Sequence, residues 1–364
     1  MSEDMNRRFS HGGNIYDAKP AQGEWLDFSA NINPLGLSPL VRQAIEDGIP
    51  HLVHYPDPSA RALKQAISDH YDIPLDRIVL GNGGAELFYV LFHAARPKRV
   101  LLPIPSFSEY ERAAISAKAE VAYFSLREED GFRFDETALC TQMRTGDCLI
   151  MGSPNNPTGR RVERKALEAI LQEARRKDVL MIIDESFMDF CPDAVDFTAR
   201  SLVSQYDNLI IVQSLTKFFA IPGLRLGFAI ASTDIVEWMD AAKDPWNTNI
   251  LAQAAGVAAL ADVKYQRRTL AWLDTEREFL FQALGALDGV KVYPPTVNFI
   301  LLRLSSSLGN ASNFCARMRE EGILLRDCSN YPGLDDTFVR VAVRKREENE
   351  KLLEALRKIG DERK

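Results

Sequence analysis

Seven short apolar runs, at 78–80, 99–102, 121–124, 148–151, 179–183, 209–212 and 226–230, are separated by longer stretches such as 109–119 and 164–176 that repeat apolar residues at helical spacing. A short unbroken apolar run suits a strand covered on both faces, and a helix between two such strands is what a parallel crossover needs. The chain is therefore expected to be α/β, with a mixed, mostly parallel seven-stranded sheet in a large domain over 40–245. From 250 a helical pattern runs to about 287. Strand-like 298–304, a helix around 312–321, strand-like 338–343 and a charged terminal helix follow, outlining a smaller α+β domain over 246–364. Residues 1–39 read as an N-terminal arm and a segment of that smaller domain. A chain of 364 residues can bury two such cores.

Charge and cysteine content exclude several function classes. With 44 Lys+Arg against 51 Asp+Glu the net charge is −7, so no basic field exists to hold a nucleic-acid backbone. Cys140, Cys148, Cys191, Cys315 and Cys328 are odd in number and form no C-x-x-C, against both a disulfide framework and a zinc site. No metal is expected, and a reducing cytoplasm fits best. The first ten residues are polar and charged, and the longest apolar stretch, 250–261, is interrupted by Gln253, so neither secretion nor a membrane span is expected.

Four segments carry chemistry. Gly81-Asn82-Gly83-Gly84-Ala85-Glu86 follows a strand and opens a helix, where backbone N–H groups converge on an anion; the plain alternative is a glycine turn. It is not a G-x-G-x-x-G dinucleotide fingerprint. Ser153-Pro154-Asn155-Asn156-Pro157-Thr158-Gly159 is a stiff loop at a strand end that can hold the Asn156 amide toward a ligand oxygen, or can be a turn and nothing more. Asp184-Glu185 leaves a fully apolar strand and needs a positive partner, either a ligand or an ordinary salt bridge. Lys217, in Ser214-Leu215-Thr216-Lys217, follows a buried strand among Phe218, Phe219 and Ala220. A lone lysine is normally a solvated charge, but desolvation here would lower its pKa and make it a nucleophile toward carbonyls. An amine for a Schiff base, a carboxylate for a pyridinium nitrogen, an amide donor and a phosphate nest together make the set of handles that pyridoxal 5'-phosphate (PLP) requires.

The order GNGG, SPNNPTG, DES, SLTK and GLRLG resembles the aspartate-aminotransferase superfamily over nearly the whole chain. Within it His11-Gly12-Gly13-Asn14, the run from Asp27 to Gly36, His54-Tyr55-Pro56-Asp57 and the run from Arg326 to Leu334 resemble the threonine-phosphate decarboxylase family of cobalamin biosynthesis. The related histidinol-phosphate aminotransferases share the core but lack the HGGN opening and the NYPGL run. The resemblance implies Lys217 as the covalent attachment point, Asp184 opposite the pyridine nitrogen, Asn156 on the ring oxygen and Phe107 stacked on the ring. Gly83, Gly84, Ala85, Ser214 and Arg225 would hold the cofactor phosphate, joined by Tyr55 from a second subunit of a homodimer. His11, Gly12, Asn31, Asn156, Arg326 and Arg340 would contact a small phosphorylated amino acid. The plain alternatives are that Arg326 and Arg340 are surface pairs and that His11 is a mobile residue of the arm.

The implied reaction is loss of carbon dioxide from L-threonine O-3-phosphate, giving (R)-1-aminopropan-2-ol O-2-phosphate. Phe187 stands three positions after the aspartate, where aminotransferases usually have tyrosine. Losing that hydroxyl removes a hydrogen bond worth about 1.5–3 kcal/mol and should raise the pKa of the cofactor's imine by about one to two. The alternatives left open are a histidinol-phosphate aminotransferase and a decarboxylase of L-serine O-phosphate, whose substrate lacks one methyl worth about 1 kcal/mol. A PLP-binding regulator is disfavoured because about 30 residues ahead of the NINPLG segment cannot hold a DNA-reading domain.

Overall fold

A computed structural model describes residues 8–17, 20 and 23–361. Its strands are β1 (Leu26–Asp27), β2 (Ile78–Gly81), β3 (Arg99–Ile104), β4 (Glu120–Ser125), β5 (Cys148–Gly152), β6 (Leu180–Asp184), β7 (Leu209–Ser214), β8 (Gly227–Ile230), β9 (Val290–Val292), β10 (Phe299–Leu304), β11 (Ile323–Leu324), β12 (Arg326–Asp327) and β13 (Phe338–Ala342). The large sheet has the order β2-β8-β7-β6-β5-β3-β4, with only β8 running against its neighbours. All seven expected strands are present, and the sheet is the mixed, mostly parallel one that the alternation predicts.

The apolar runs are unbroken because each face of this sheet meets a different core. Leu101, Leu149, Met181, Ile183, Leu209 and Ile211 point into one cluster with Leu63, Ile67, Leu167, Ile170 and Ala252 from covering helices. The alternate residues Val100, Cys148, Ile150, Ile182, Ile210 and Val212 point into another with Leu87, Phe88, Ala113 and Met239. Period-two alternation thus sends every second side chain to each side, and both sides are apolar. The C-terminal ends of β2, β3, β5, β6 and β7 collect on one edge, where a doubly covered sheet builds its ligand site.

A second, antiparallel sheet, β12-β13-β10-β9, carries helices Ala311–Glu320 and Arg346–Asp361, and the parallel pair β1·β11 ties the N-terminal segment to it. Its register sets Arg326 directly opposite Arg340. The single helix expected from 250 to 287 is instead two, Ile250–Ala261 and Val263–Gly285. The break is Asp262, whose side chain accepts from the Tyr265 N–H and caps the second helix while its own backbone leaves helical geometry. No helix among the described residues is long and apolar enough to cross a membrane.

Candidate active site

A cavity of about 450 Å³ lies at the carboxyl edge of the large sheet and is lined from three directions: the N-terminal arm, the strand ends, and β12/β13. Lys217 sits in its floor, three residues beyond β7. The turn that carries it is held by Asn33, whose N–H donates to the Lys217 carbonyl and whose side chain donates to the Phe218 carbonyl. Lys217 Nζ lies 3.0 Å from Ser214 Oγ, which in turn bonds Thr216. Burial lowers this amine from 10.5 to about 8; Asp184 works against the shift and Arg225 adds to it.

The two carboxylates leaving β6 part company. Glu185 is fully buried and structural, pairing with Arg200 at 3.1 Å and accepting from Thr198 and the Ala199 N–H. Asp184 faces the cavity, accepting from Tyr110 Oη at 2.6 Å and from the Ser186 N–H at 2.8 Å. Among the described residues it has no cation within salt-bridge distance, so its charge remains available to a ligand. Tyr110 is fully buried and its pKa is raised well above 10, so it keeps its proton and donates it to Asp184.

The loop after β5 is braced by Asn155, which donates to the Pro105 carbonyl and to Thr158. Asn156 Oδ1 accepts from Arg340 and, at 3.4 Å, from Tyr331. Arginine has only donors, so this oxygen assignment is forced, and the Asn156 NH2 is the half left to bond a ligand. Helix Gly84–Ala95 opens toward the cavity with Gly83 at φ 85° and no side-chain cap among the described residues, so its first N–H groups can turn to a ligand. A Cβ on Gly83 would lie 2.3 Å from an Arg225 nitrogen, so only glycine lets that guanidinium close over the helix end.

Arg326 and Arg340 are each 5% exposed. Arg326 donates to the carbonyls of Asp327 (2.6 Å) and Ser10 (2.8 Å) and to Asn330 Oδ1 (2.8 Å); Arg340 donates to the Ser29 carbonyl (2.7 Å) and to Asn156. Among the described residues neither meets a carboxylate, and Arg340 Nε and Asn31 Oδ1 are buried with no hydrogen-bond partner. Like charges directly opposite on paired strands repel, so two buried arginines in this register call for an anion. The arm closes the cavity: His11 and Gly12 line it, and a Cβ on Gly12 would fall 2.2 Å from the Ser29 carbonyl oxygen.

Of the residues singled out from sequence, Lys217, Asp184, Asn156, Phe107, Gly84, Ala85, Ser214, Arg225, His11, Gly12, Asn31, Arg326 and Arg340 all line this cavity, and Gly83 touches Arg225 beside it. Tyr55 does not: it is 78% exposed and packs against Trp246 with ring centres 4.7 Å apart and planes tilted by 30°. Tyr110, Tyr331, Glu109, Arg112 and Ser186 line the cavity without having been anticipated. A nest with a clamping arginine, an unpaired carboxylate, a free amide and a desolvated lysine fit a PLP molecule; at the β12/β13 end the arginine pair fits a second anion.

The family described as aminotransferase class I and II matches residues 23–356. The chain is 38% identical to the threonine-phosphate decarboxylase of Salmonella typhimurium, covering 96% of both chains. It is 32% identical to an adenosylcobalamin biosynthesis bifunctional protein of Leptospira interrogans, covering 96% of this chain and 41% of that one. Its fold is similar to the crystal structure of histidinol-phosphate aminotransferase from Clostridium acetobutylicum, with a TM-score of 0.86 and 32% identity over 93% of this chain and 99% of that one.

Proposed function

Because the chain belongs to the class I and II aminotransferase family, we propose that it is a PLP-dependent decarboxylase that converts L-threonine O-3-phosphate to (R)-1-aminopropan-2-ol O-2-phosphate and carbon dioxide in cobalamin biosynthesis. The observation that carries this reading is the Arg326–Arg340 pair, buried, in register and without a carboxylate partner among the described residues, at the far end of a cavity whose near end fits PLP. The similarity to the Salmonella and Leptospira proteins supports it.

Lys217 is the attachment point for the cofactor, and bound PLP supplies the electron sink for the pair left when a bond to the substrate's α-carbon breaks. Asp184, held by Tyr110 and the Ser186 N–H, would be the partner of the ring nitrogen. The Asn156 amide would hold the ring oxygen, Phe107 the ring face, and the N–H groups of Gly84 and Ala85 with Ser214 and Arg225 the cofactor phosphate. Arg326 and Arg340 take the substrate phosphate in bidentate fashion. With that end fixed, the arm around His11 would hold the substrate's carboxylate and so select which bond to the α-carbon breaks. Lys217, its amine released when the substrate's amine takes its place on the cofactor, would supply a proton to the α-carbon.

The proposal includes a cytoplasmic homodimer in which Tyr55 reaches the partner's cofactor phosphate. In support, Tyr55 is exposed beside Leu52, Val53 and Trp246, an apolar surface of the kind that pairing would cover. Histidinol-phosphate aminotransferase is the second reading, favoured by the fold similarity to the Clostridium enzyme. That reaction removes an α-hydrogen and consumes a keto acid. Assaying phosphothreonine, phosphoserine and histidinol phosphate with and without 2-oxoglutarate separates them: the proposal expects carbon dioxide from phosphothreonine with no keto acid, and keto-acid-dependent turnover of histidinol phosphate as the main activity would replace it.

A further inference from the structure

We infer that Glu109 is a positioning residue that acts through His11, fixing its ring as a donor for the substrate's carboxylate; the inference rests on the decarboxylation reading above. Glu109 lies in the first turn of helix Ser108–Ser116 and its side chain is only 9% exposed, yet it borders the cavity. Its Oε1 lies 2.7 Å from His11 Nε2, and its Oε2 accepts from Tyr89 Oη at 2.8 Å, with Arg112 3.4 Å away. Burial alone would push the carboxyl up, but the bonds from His11 and Tyr89 bring it below the ordinary glutamate value.

An ionised carboxylate only accepts, so His11 Nε2 must carry a hydrogen. That leaves Nδ1, which has no partner among the described residues, as the free nitrogen of a ring 5.6 Å from Phe107. The arm is pinned on both sides of this histidine: the Ser10 carbonyl is held by Arg326, and the Gly13 N–H donates to Ser29 Oγ at 2.7 Å. His11 therefore stands between the guanidinium assigned to the substrate phosphate and the aromatic face assigned to the cofactor ring. For Nδ1 to donate to the substrate's carboxylate it must take up a proton from solvent as that carboxylate arrives, and the ring then donates to one carboxylate at each end. Without Glu109 the ring can turn over or change tautomer, and the bond to be broken loses its fixed direction.

Two variants test this. E109Q is isosteric and uncharged; E109D keeps the charge but is one methylene too short for the contact. In protein with ¹⁵N-labelled histidine, His11 should show Nε2 protonation in the wild type and a mixed tautomer signal in both variants, with or without cofactor. Apparent affinity for phosphothreonine should stay within roughly threefold, carbon dioxide turnover should fall roughly 10- to 100-fold, and more turnovers should end in the pyridoxamine form. E109Q should add nothing to H11A. An unchanged His11 spectrum, wild-type turnover in E109D, or a further loss when E109Q is added to H11A would each overturn the inference. If the wild type releases no carbon dioxide at all, the decarboxylation reading fails, while the ¹⁵N spectra still decide whether Glu109 fixes the ring.

Discussion

Replacing Arg326 by alanine separates recognition of the substrate phosphate from stability. Among the described residues its hydrogen-bond acceptors include the carbonyls of Asp327 and Ser10 and the Asn330 amide oxygen, all neutral, and the residue opposite it is another arginine. Losing bonds to neutral acceptors costs stability, but removing one of two like buried charges returns part of it, so unfolding of the cofactor-loaded R326A protein should ease by only about 1–3 kcal/mol. The substrate phosphate, in contrast, loses a buried bidentate partner worth about 2–5 kcal/mol, or roughly 30-fold to several thousand-fold in kcat/KM. R326K, which keeps the charge but not the fork, should fall between. Steady-state kinetics and calorimetric binding with phosphothreonine and with unphosphorylated threonine measure the effect. Only the phosphorylated ligand should lose affinity, so the discrimination between the two collapses. Equal loss for both ligands, or no loss for either, refutes the assignment of this arginine to the phosphate.

K217A should lose the visible absorbance that borohydride bleaches in the wild type, and covalent fixation of cofactor to that variant would contradict the attachment site. Because burial penalises the charged amine of Lys217 and brings it to about 8, PLP uptake by the apoprotein should speed up as pH rises toward about 8 and level off above it; a stopped-flow rate still climbing tenfold per pH unit near about 9.5 contradicts this. The same shift makes the penalty on the folded apoprotein complete below about 8 and absent above the ordinary lysine value, so its stability should gain across that interval. F187Y places a hydroxyl near Lys217, whose Nζ lies 5.6 Å from the Phe187 ring centre, and should lower the pKa read from the cofactor spectrum by about one to two; no change would mean that the hydroxyl does not reach the ring oxygen. Mixing inactive Y55F with inactive K217A under demonstrated subunit exchange should restore part of the activity, and no recovery counts against a shared site.

The large sheet was legible because both its faces are covered, so each strand stands out as an unbroken apolar run and each crossover helix as a periodic one. The helix break at Asp262 was harder to see, since its capping role depends on a side-chain conformation that the flanking apolar periodicity hides. Lys217, Asp184 and Asn156 were visible as polar residues stationed at strand ends, where desolvation gives them chemistry. The split between Asp184 and Glu185 was not, because Arg200, the partner of Glu185, comes from a later turn. Tyr110 and Tyr331 look like core residues in a sequence pattern, and only the packing turns their hydroxyls onto Asp184 and Asn156. Arg326 and Arg340 are ordinary isolated arginines until the register of β12 against β13 sets them face to face. That register depends on two segments meeting in space, so composition and spacing could not reveal it, and the family resemblance alone pointed to the pair.

Phosphothreonine labelled with ¹³C in its carboxylate, supplied to the PLP-loaded enzyme with no keto acid present, tests the central claim most directly. The expected result is labelled carbon dioxide stoichiometric with substrate consumed, together with a cofactor spectrum that returns to the PLP form after every turnover. Retention of the label in the organic product, accumulation of pyridoxamine phosphate, or dependence of turnover on added 2-oxoglutarate would contradict it.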